Sequence, residues 1–587
     1  MYCRKIAVAV IIIVTIFRWQ FLYAQAVTLK IIETSDVHGA IFPYDFKNDR
    51  LAATSLAQVQ TYVKQQRAAK DQEVVLLDAG DILQGQPVVY YYNFEKTGVP
   101  HLVAEVMNHM GYDAAAVGNH DIEAGHSVYD RFVRTLQFPW LAANAVSTTT
   151  GKPYFKPYAI IQRNGVKIAV LGMVTPAIPN WLPEQIWQGM EFEDMVETAR
   201  KWVPIIRQKE KPDLLLGLFH SGVDYTSGHE TAETPKNENA SRLVAEQVPG
   251  FDVVFVGHDH HGWNLFVTNS EQKRVLIVGP RNAAINVAVA TVRLTYDGQE
   301  KRWQKQIAGE LVDMRDFAAD RAFLEKFRPE FEEVKAYVAR PIGTFTRTIS
   351  TRESMFGNSA FVDLIHKIQL DLTGADISFV APLSFDATIR KGEVYVRDMF
   401  KLYKYENLLY TMELTGQEIK DYLEYSYGLW FNQMKGAADH LLNFRHDQDS
   451  GNHPYRLQAA SYNFDSAAGI VYTVDVSKPA GQRVAIESMA DGTPFVWNKK
   501  YKVAINSYRG NGGGGHLTIG AKIPKQELSR RIVASTEKDL RFFLMKWIER
   551  EKVVTPKAFG NWRIIPQKWW EKGKEKDFAL LYRREKS

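Results

Sequence analysis

Eight side chains able to bind metal or move protons sit directly after short apolar runs: Asp36, His38, Asp81, Asn119, His120, His220, His258 and His260. Residues 28–35 run into Asp36-Val37-His38-Gly39, residues 74–77 into Asp78-Ala79-Gly80-Asp81, and residues 114–117 into Gly118-Asn119-His120-Asp121. Residues 214–219 run into His220-Ser221-Gly222, and residues 253–256 into Gly257-His258-Asp259-His260. Carboxylates, imidazoles and one amide, delivered by loops at one end of a sheet, are the donor set of a pair of divalent cations. Asp81 is the natural bridge, because a carboxylate carries lone pairs on both oxygens. Asp36, His38 and His260 complete one coordination shell, and Asn119, His220 and His258 the other. Such a pair turns a shared water into hydroxide near neutral pH. The amide of Asn119 coordinates without adding negative charge, which matters where an anionic phosphate must enter. His120 follows Asn119 without needing to be a ligand, so it is free to stabilise a phosphoryl group or protonate a leaving oxygen. Glu123, three residues on, is placed to hold its second ring nitrogen. His261 is expected to be exposed. His101, His109, His126, His229, His366, His440, His446, His453 and His516 lack such context and read as surface or satisfied core residues.

Elements that position these residues follow from the hydrophobic pattern. From residue 27 to 312, β-branched runs alternate with amphipathic segments, which predicts a layered α/β domain. Helices are expected over 52–67, 100–110 and 192–208, and antiparallel strands over 287–296 and 302–312 close the sheet. Residues 313–340 are charged and read as one long connecting helix, stopping at Pro341-Ile342-Gly343. A second α/β domain is expected over 341–561, with helices at 360–372 and 415–427 and strands near 377–381, 470–476 and 502–505. Residues 562–587 read as a basic, solvated tail, because their lysines and arginines are interleaved with acids.

At 587 residues the chain is too long for a single core, which agrees with two domains. A net charge of +5, with no dominant basic cluster before the last forty residues, argues against a nucleic-acid polymer as partner. Arg4 and Lys5 precede a mostly apolar run over 6–17, and Ala24-Gln25-Ala26 offers small residues for cleavage. Residues 1–26 therefore read as a secretory signal, too short and too interrupted by Arg18 for a stable membrane anchor. The single cysteine, Cys3, lies inside that segment. The exported, periplasmic chain is thus expected to have no disulfide, no thiol nucleophile and no Cys-ligated zinc.

In this order, the five blocks resemble the 5′-nucleotidase family of secreted dinuclear metallophosphoesterases. The resemblance implies a layered α/β/β/α calcineurin-like sandwich, a connecting helix and a second α/β substrate domain. It implies metal ligands at Asp36, His38, Asp81, Asn119, His220, His258 and His260, and a catalytic histidine at His120. Glu123 stands where the family usually has an aspartate. Lys404-Tyr405-Glu406-Asn407 and Asn506-Ser507-Tyr508-Arg509-Gly510-Asn511-Gly512-Gly513 look like the two segments that clasp a base, with Tyr405 and Tyr508 as the stacking faces. Two departures stand out. The glycine-rich stretch ending in Ile-Arg is here Ser384-Phe385-Asp386-Ala387-Thr388-Ile389-Arg390, leaving Arg390 as a phosphate contact, and Gly514 replaces an aspartate on the ribose hydroxyls. With tyrosine at both stacking positions, these departures resemble the 2′,3′-cyclic-nucleotide 2′-phosphodiesterase/3′-nucleotidase branch.

The resemblance implies an exported, metal-dependent nucleotide phosphoesterase. It would hydrolyse nucleoside monophosphates, 2′,3′-cyclic nucleotides or both by in-line attack of a metal-bridging hydroxide. Zn, Mn, Fe and Co all suit the mixed donors. The competing readings are hydrolysis of a non-nucleotide ester on the same fold, and a non-catalytic protein that scavenges nucleosides or metal.

Overall fold

The structure is a computed structural model that describes residues 26–227, 230–446 and 455–582. The signal segment, Cys3, His229 and His453 therefore lie outside the described residues. Two six-stranded mixed sheets stack in the N-terminal half. The first runs in the order Arg302–Asp313, Asn286–Asp297, Ala26–Thr34, Glu73–Asp78, Ala114–Ala116, Trp140–Leu141. The second runs Trp263–Thr268, Arg274–Gly279, Val253–Val256, Leu214–His220, Val166–Val174, Tyr158–Arg163. Leu29, Ile31, Val75 and Leu77 of the first sheet meet Leu216, Leu218, Val253 and Phe255 of the second in one buried layer. Helices Leu56–Ala68 and Leu102–Met110 cover the outer face of the first sheet, and Met195–Glu210 and Ser241–Gln247 that of the second. This is the expected α/β/β/α sandwich. Each fully buried Leu, Ile or Val in these layers contributes about 1.5–3 kcal/mol, so the ends of the strands are firmly held.

Strand direction fixes where the chemistry goes. Ala26–Thr34 pairs in parallel with Glu73–Asp78, and Glu73–Asp78 with Ala114–Ala116. Leu214–His220 pairs in parallel with Val253–Val256. All five predicted motifs therefore leave their sheets at the same carboxyl edge. Asn286–Asp297 and Arg302–Asp313 form the expected antiparallel edge against Ala26–Thr34.

Two expectations about connecting segments are corrected. Residues 313–340 are not one helix but a short 3-10 turn, Met314–Asp316, and two helices, Arg321–Lys326 and Arg328–Val338. The break falls at Phe327, where Pro329 in the first turn of the second helix cannot donate back into the first. Phe323, Phe327, Val334 and Val338 are buried in the N-terminal core, so the connector is part of that unit's surface. Residues 562–587, read as a solvated tail, are structured as far as they are described. Trp562–Ile565 pairs in parallel with Ile470–Asp475, and helix Gln567–Tyr582 packs Trp569, Trp570 and Phe578 against the second core. Asp577 of that helix is fully buried and accepts from the backbone N–H of Leu441 and Leu442 at 2.8 and 2.9 Å.

The C-terminal half is built on a five-stranded sheet in the order Ser466–Ala468, Ile377–Val380, Lys500–Asn506, Leu408–Thr415, Ile532–Asp539. Helices Ala360–Thr373 and Gly416–Trp430 flank it, close to their expected positions. No helix among the described residues is long and apolar enough to cross a membrane.

Candidate metal centre and adjoining cavity

Backbone geometry already marks three of the five loops. Asp36, His38, Asp81, His258 and His260 all adopt left-handed conformations, with φ between 49° and 82°. Non-glycine residues rarely do so, and clustering of that strain is characteristic of functional turns. Close approach of the loops depends on missing side chains: a Cβ on Gly118 would lie 2.1 Å from Asp81 Oδ1, and one on Gly257 would lie 1.9 Å from Ser35 Oγ.

The donor atoms fall into two overlapping groups. Asp36 Oδ1 lies 3.3 Å from His260 Nε2 and 4.0 Å from His38 Nε2, and those two ring nitrogens are 3.1 Å apart. Asp81 Oδ2 is 3.1 Å from His220 Nε2. Asn119 Oδ1 is 3.0 Å from His220 Nε2 and 2.9 Å from His258 Nδ1. Ligand atoms on a shared cation, each about 2.0–2.2 Å from it, are spaced in this way. Asp36, Asp81 and His220 also fall within one ligating group. Asp36 Oδ1 is buried without a hydrogen-bond partner. A buried carboxylate oxygen left bare and aimed at two imidazoles fits a cation that would satisfy it.

Surrounding bonds fix the ring orientations. His220 Nδ1 meets the Ala79 carbonyl at 2.8 Å, which turns Nε2 inward. Burial pushes His38 down to about 3, so it presents a neutral imidazole. Burial opposes charge on His120 as well, but the carboxylates of Asp81 and Glu123 outweigh it and lift the group to about 10. His120 Nδ1 is bonded to Glu123 Oε2, and its backbone N–H donates to Asp81 Oδ1 at 2.8 Å. Nε2 is the ring nitrogen left to act.

A cavity of about 330 Å³ opens from this cluster towards the C-terminal half. Asn119, His120, Glu123 and His258 line one end, and Tyr405 and Tyr508 line the other. The two predicted tyrosines thus share a cavity with Asn119 and His258 of the predicted ligands and with His120. Buried arginines hold their loops. Arg541 donates to the Tyr403 and Lys404 carbonyls at 3.0 and 2.7 Å and to Glu406 at 2.7 Å, next to Tyr405. Arg509 donates to Asp465, to the Gly513 carbonyl and to the Tyr462 carbonyl, next to Tyr508. Gly514 has φ of 69°, and a Cβ there would lie 2.2 Å from Arg509 Nη1. The position has no room for an aspartate.

Arg390 is not brought to the cavity. It is exposed beyond Thr388–Ile389, while only Leu383 of that loop reaches the lining. The Arg352–Asp386 ion pair and the stacking of Phe385 on Tyr582 hold residues 385 and 386 elsewhere. Trp181, Glu238 and Tyr462 line the cavity without having been singled out. Trp181 stacks on His258 with ring centroids 5.7 Å apart. Asp121, quoted within its motif but given no role, accepts four backbone N–H groups beneath the cluster. His261 is exposed, and His101, His366 and His516 are buried with partners, as expected of residues outside the site.

Residues 29–262 match the calcineurin-like phosphoesterase family and residues 341–520 the 5′-nucleotidase C-terminal domain. The chain is 27% identical to the trifunctional nucleotide phosphoesterase protein YfkN of Bacillus subtilis over 92% of its own length, and spans 39% of that protein. It is 26% identical to the 2′,3′-cyclic-nucleotide 2′-phosphodiesterase/3′-nucleotidase of Yersinia enterocolitica, over 92% of this chain and 88% of the relative. The solved 5′-nucleotidase precursor from Thermus thermophilus shares the fold, with a TM-score of 0.61 and 21% identity over 92% of this chain and all of that one.

Proposed function

Because this chain belongs to the two-domain family in which a calcineurin-like phosphoesterase domain precedes a 5′-nucleotidase C-terminal domain, we propose that it hydrolyses 2′,3′-cyclic nucleotides and 3′-nucleotides with two divalent cations. One observation carries the reading: Asn119, His120 and His258 line the same cavity as Tyr405 and Tyr508, and Asn119 and His258 adjoin the buried Asp/His cluster through His220, so phosphorus and base have separate ends of one site. Asp36, His38 and His260 would hold one cation, Asn119, His220 and His258 the other, with Asp81 between them. Cations held there supply Lewis-acid polarisation of phosphoryl oxygens and activate water at neutral pH. Glu123 fixes the His120 ring so that Nε2 can donate to a phosphoryl oxygen or to the departing ribose oxygen. Tyr405 and Tyr508 stack on the base, an interaction worth roughly 1–3 kcal/mol that tolerates many bases.

The preference for cyclic and 3′ substrates rests on the paired tyrosines and on the absence of room for an acidic side chain at Gly514. Relatives of this chain carry that activity in their names. Phosphate release from AMP, 3′-AMP and 2′,3′-cyclic AMP, by protein stripped of metal and then reloaded, tests the reading. Turnover confined to AMP would replace it with 5′-nucleotide hydrolysis. Unchanged nucleotide KM in Tyr405→Ala and Tyr508→Ala would favour a non-nucleotide ester. Two bound metals with no phosphatase activity on any nucleotide would leave a binding protein. Residues 1–26 support export of the mature chain to the periplasm, and N-terminal sequencing of secreted protein should begin near Val27.

A further inference from the structure

The cavity lining contains four charged or imidazole side chains besides its tyrosines: His120, Glu123, His258 and Glu238. Lysine and arginine are absent from the lining among the described residues. His120 and Glu123 are bonded to each other, and His258 turns Nδ1 to Asn119. Glu238 has no part in the reaction as derived, yet its position is strongly fixed. Its backbone N–H donates to Glu230 Oε2 at 3.1 Å, and its carbonyl accepts from Thr175 Oγ1 and Ser221 Oγ at 3.0 and 2.8 Å. Its Oε1 meets His258 Nε2 at 2.9 Å. No other hydrogen bond to this carboxylate exists among the described residues, and its side chain is 38% exposed. On the far side stand Tyr462 and Tyr508: burial raises both hydroxyls, with the negative charge of Glu238 adding to each.

A carboxylate with one oxygen committed to His258 and the other free thus lies between the metal-ligand end and the aromatic end. A nucleotide with its phosphorus at one end and its base at the other must pass its sugar across this point. The free oxygen can only accept a hydrogen bond. A sugar hydroxyl offers a donor there, whereas a second phosphate offers only acceptors and like charge; among the described residues no lysine or arginine lines the cavity to offset it, and His120 is engaged by Glu123. Building on the nucleotide reading above, we propose that Glu238 determines substrate specificity: it accepts a hydrogen bond from a free sugar hydroxyl and rejects nucleotides that carry a second phosphate at that position.

The test compares 3′-AMP, adenosine 3′,5′-bisphosphate and the sugarless ester p-nitrophenyl phosphate in wild type, Glu238→Gln and Glu238→Asp, with metal content measured for each. Wild type should prefer 3′-AMP over the bisphosphate at least tenfold in kcat/KM. Glu238→Gln should narrow that preference at least fivefold, chiefly through KM, and Glu238→Asp, which keeps the charge, should retain most of it. Loss of kcat/KM in the Gln variant should be at least fivefold greater on 3′-AMP than on p-nitrophenyl phosphate. An unchanged preference in Glu238→Gln overturns the proposal while nucleotide hydrolysis stands. So does an equal loss on all three substrates accompanied by loss of metal, since Glu238 would then serve only to orient His258. Wild type that cleaves p-nitrophenyl phosphate but no nucleotide removes the nucleotide reading itself.

Discussion

Asp121 accepts backbone N–H groups from Gly118 and Asp81 on one oxygen, and from Ile82 and Leu83 on the other, at 2.8 to 3.0 Å. A single buried carboxylate therefore locks the turn presenting Asp81 to the turn presenting Asn119. In Asp121→Asn one oxygen would be replaced by an NH₂ group facing two donors, so two of the four bonds should fail. Supports of this kind cost about 10–100-fold in metal affinity when removed, and chelator-buffered metal titration of the variant should find a loss of that size with circular dichroism unchanged. Asp81→Ala should abolish metal loading outright. His120→Ala should instead slow turnover by about 10²–10⁴-fold with normal metal content, measured by atomic absorption alongside steady-state rates. The clustering of the proposed ligands was legible because each pairs a metal-binding residue type with a preceding apolar strand. Asp121, Glu238 and Trp181 were not, because their roles depend on which distant backbone or ring they meet. The place of Arg390 outside the cavity lining was not legible for the same reason: its residue type suits phosphate, but residues 385 and 386 of its loop are held by Tyr582 and Arg352, far away in sequence.

Strand-loop units were legible as elements because each strand is buried on both faces and reads as a continuous apolar run ended by glycine or a polar turn. Connecting segments were harder to read. Residues 313–340 carry a helical composition, and only Pro329 signals the break that lets two short helices follow the curvature of the N-terminal core. The terminal helix Gln567–Tyr582 was obscured by its lysines, whose apolar stems and charged tips flank a face of Trp569, Trp570 and Phe578. Helix Ala360–Thr373 has its own buried acid in the first turn. Asp363 is 2% exposed, accepts from the Phe559 backbone N–H at 2.7 Å, and is pushed up by burial to about 7. Its folded value exceeds the unfolded one, so the folded state binds the proton more tightly. The stability this confers is complete below about pH 4 and lost as pH rises to about 7. Asp363→Asn keeps an acceptor for Phe559 without the charge. Calorimetry should give wild type and variant similar Tm values near pH 4, and a variant Tm several degrees higher at pH 8. A variant that is less stable at pH 8 would mean that the carboxylate is stabilised by something other than its backbone partner.

Across the whole molecule, the proposed metal ligands and the proposed base-stacking tyrosines belong to different halves of the chain, so on this reading turnover should depend on the relation between the halves. The contacts that hold them in this arrangement are both apolar and polar: Tyr90 and Phe94 pack into the C-terminal apolar cluster, with Tyr90 edge-on to Phe400 at 5.4 Å. Tyr90 donates to Asp539 Oδ2 at 3.1 Å and lies 5.0 Å beneath the guanidinium of Arg541. Asn511 Nδ2 reaches the Trp181 carbonyl at 3.5 Å, and Lys525 bonds to Asn180. Arg397 and Asp49 approach to 3.8 Å. Interfaces of this character permit relative motion of the parts they join, and release of product from a cavity roofed by both halves calls for it. The connector packs on the N-terminal core as far as Val338, so a pivot between the halves is expected at the two residues before Pro341–Phe345. Cysteines introduced as Asn180→Cys and Lys525→Cys, in protein lacking residues 1–26 and hence Cys3, allow the halves to be joined by a cleavable bis-maleimide linker. Joined in this arrangement, the enzyme should complete a first turnover at the normal rate but sustain at most about a tenth of its steady-state rate, with recovery when the linker is cut. Undiminished steady-state turnover in the joined protein would mean that substrate and product exchange without the halves separating, and that the cavity mouth alone suffices for passage.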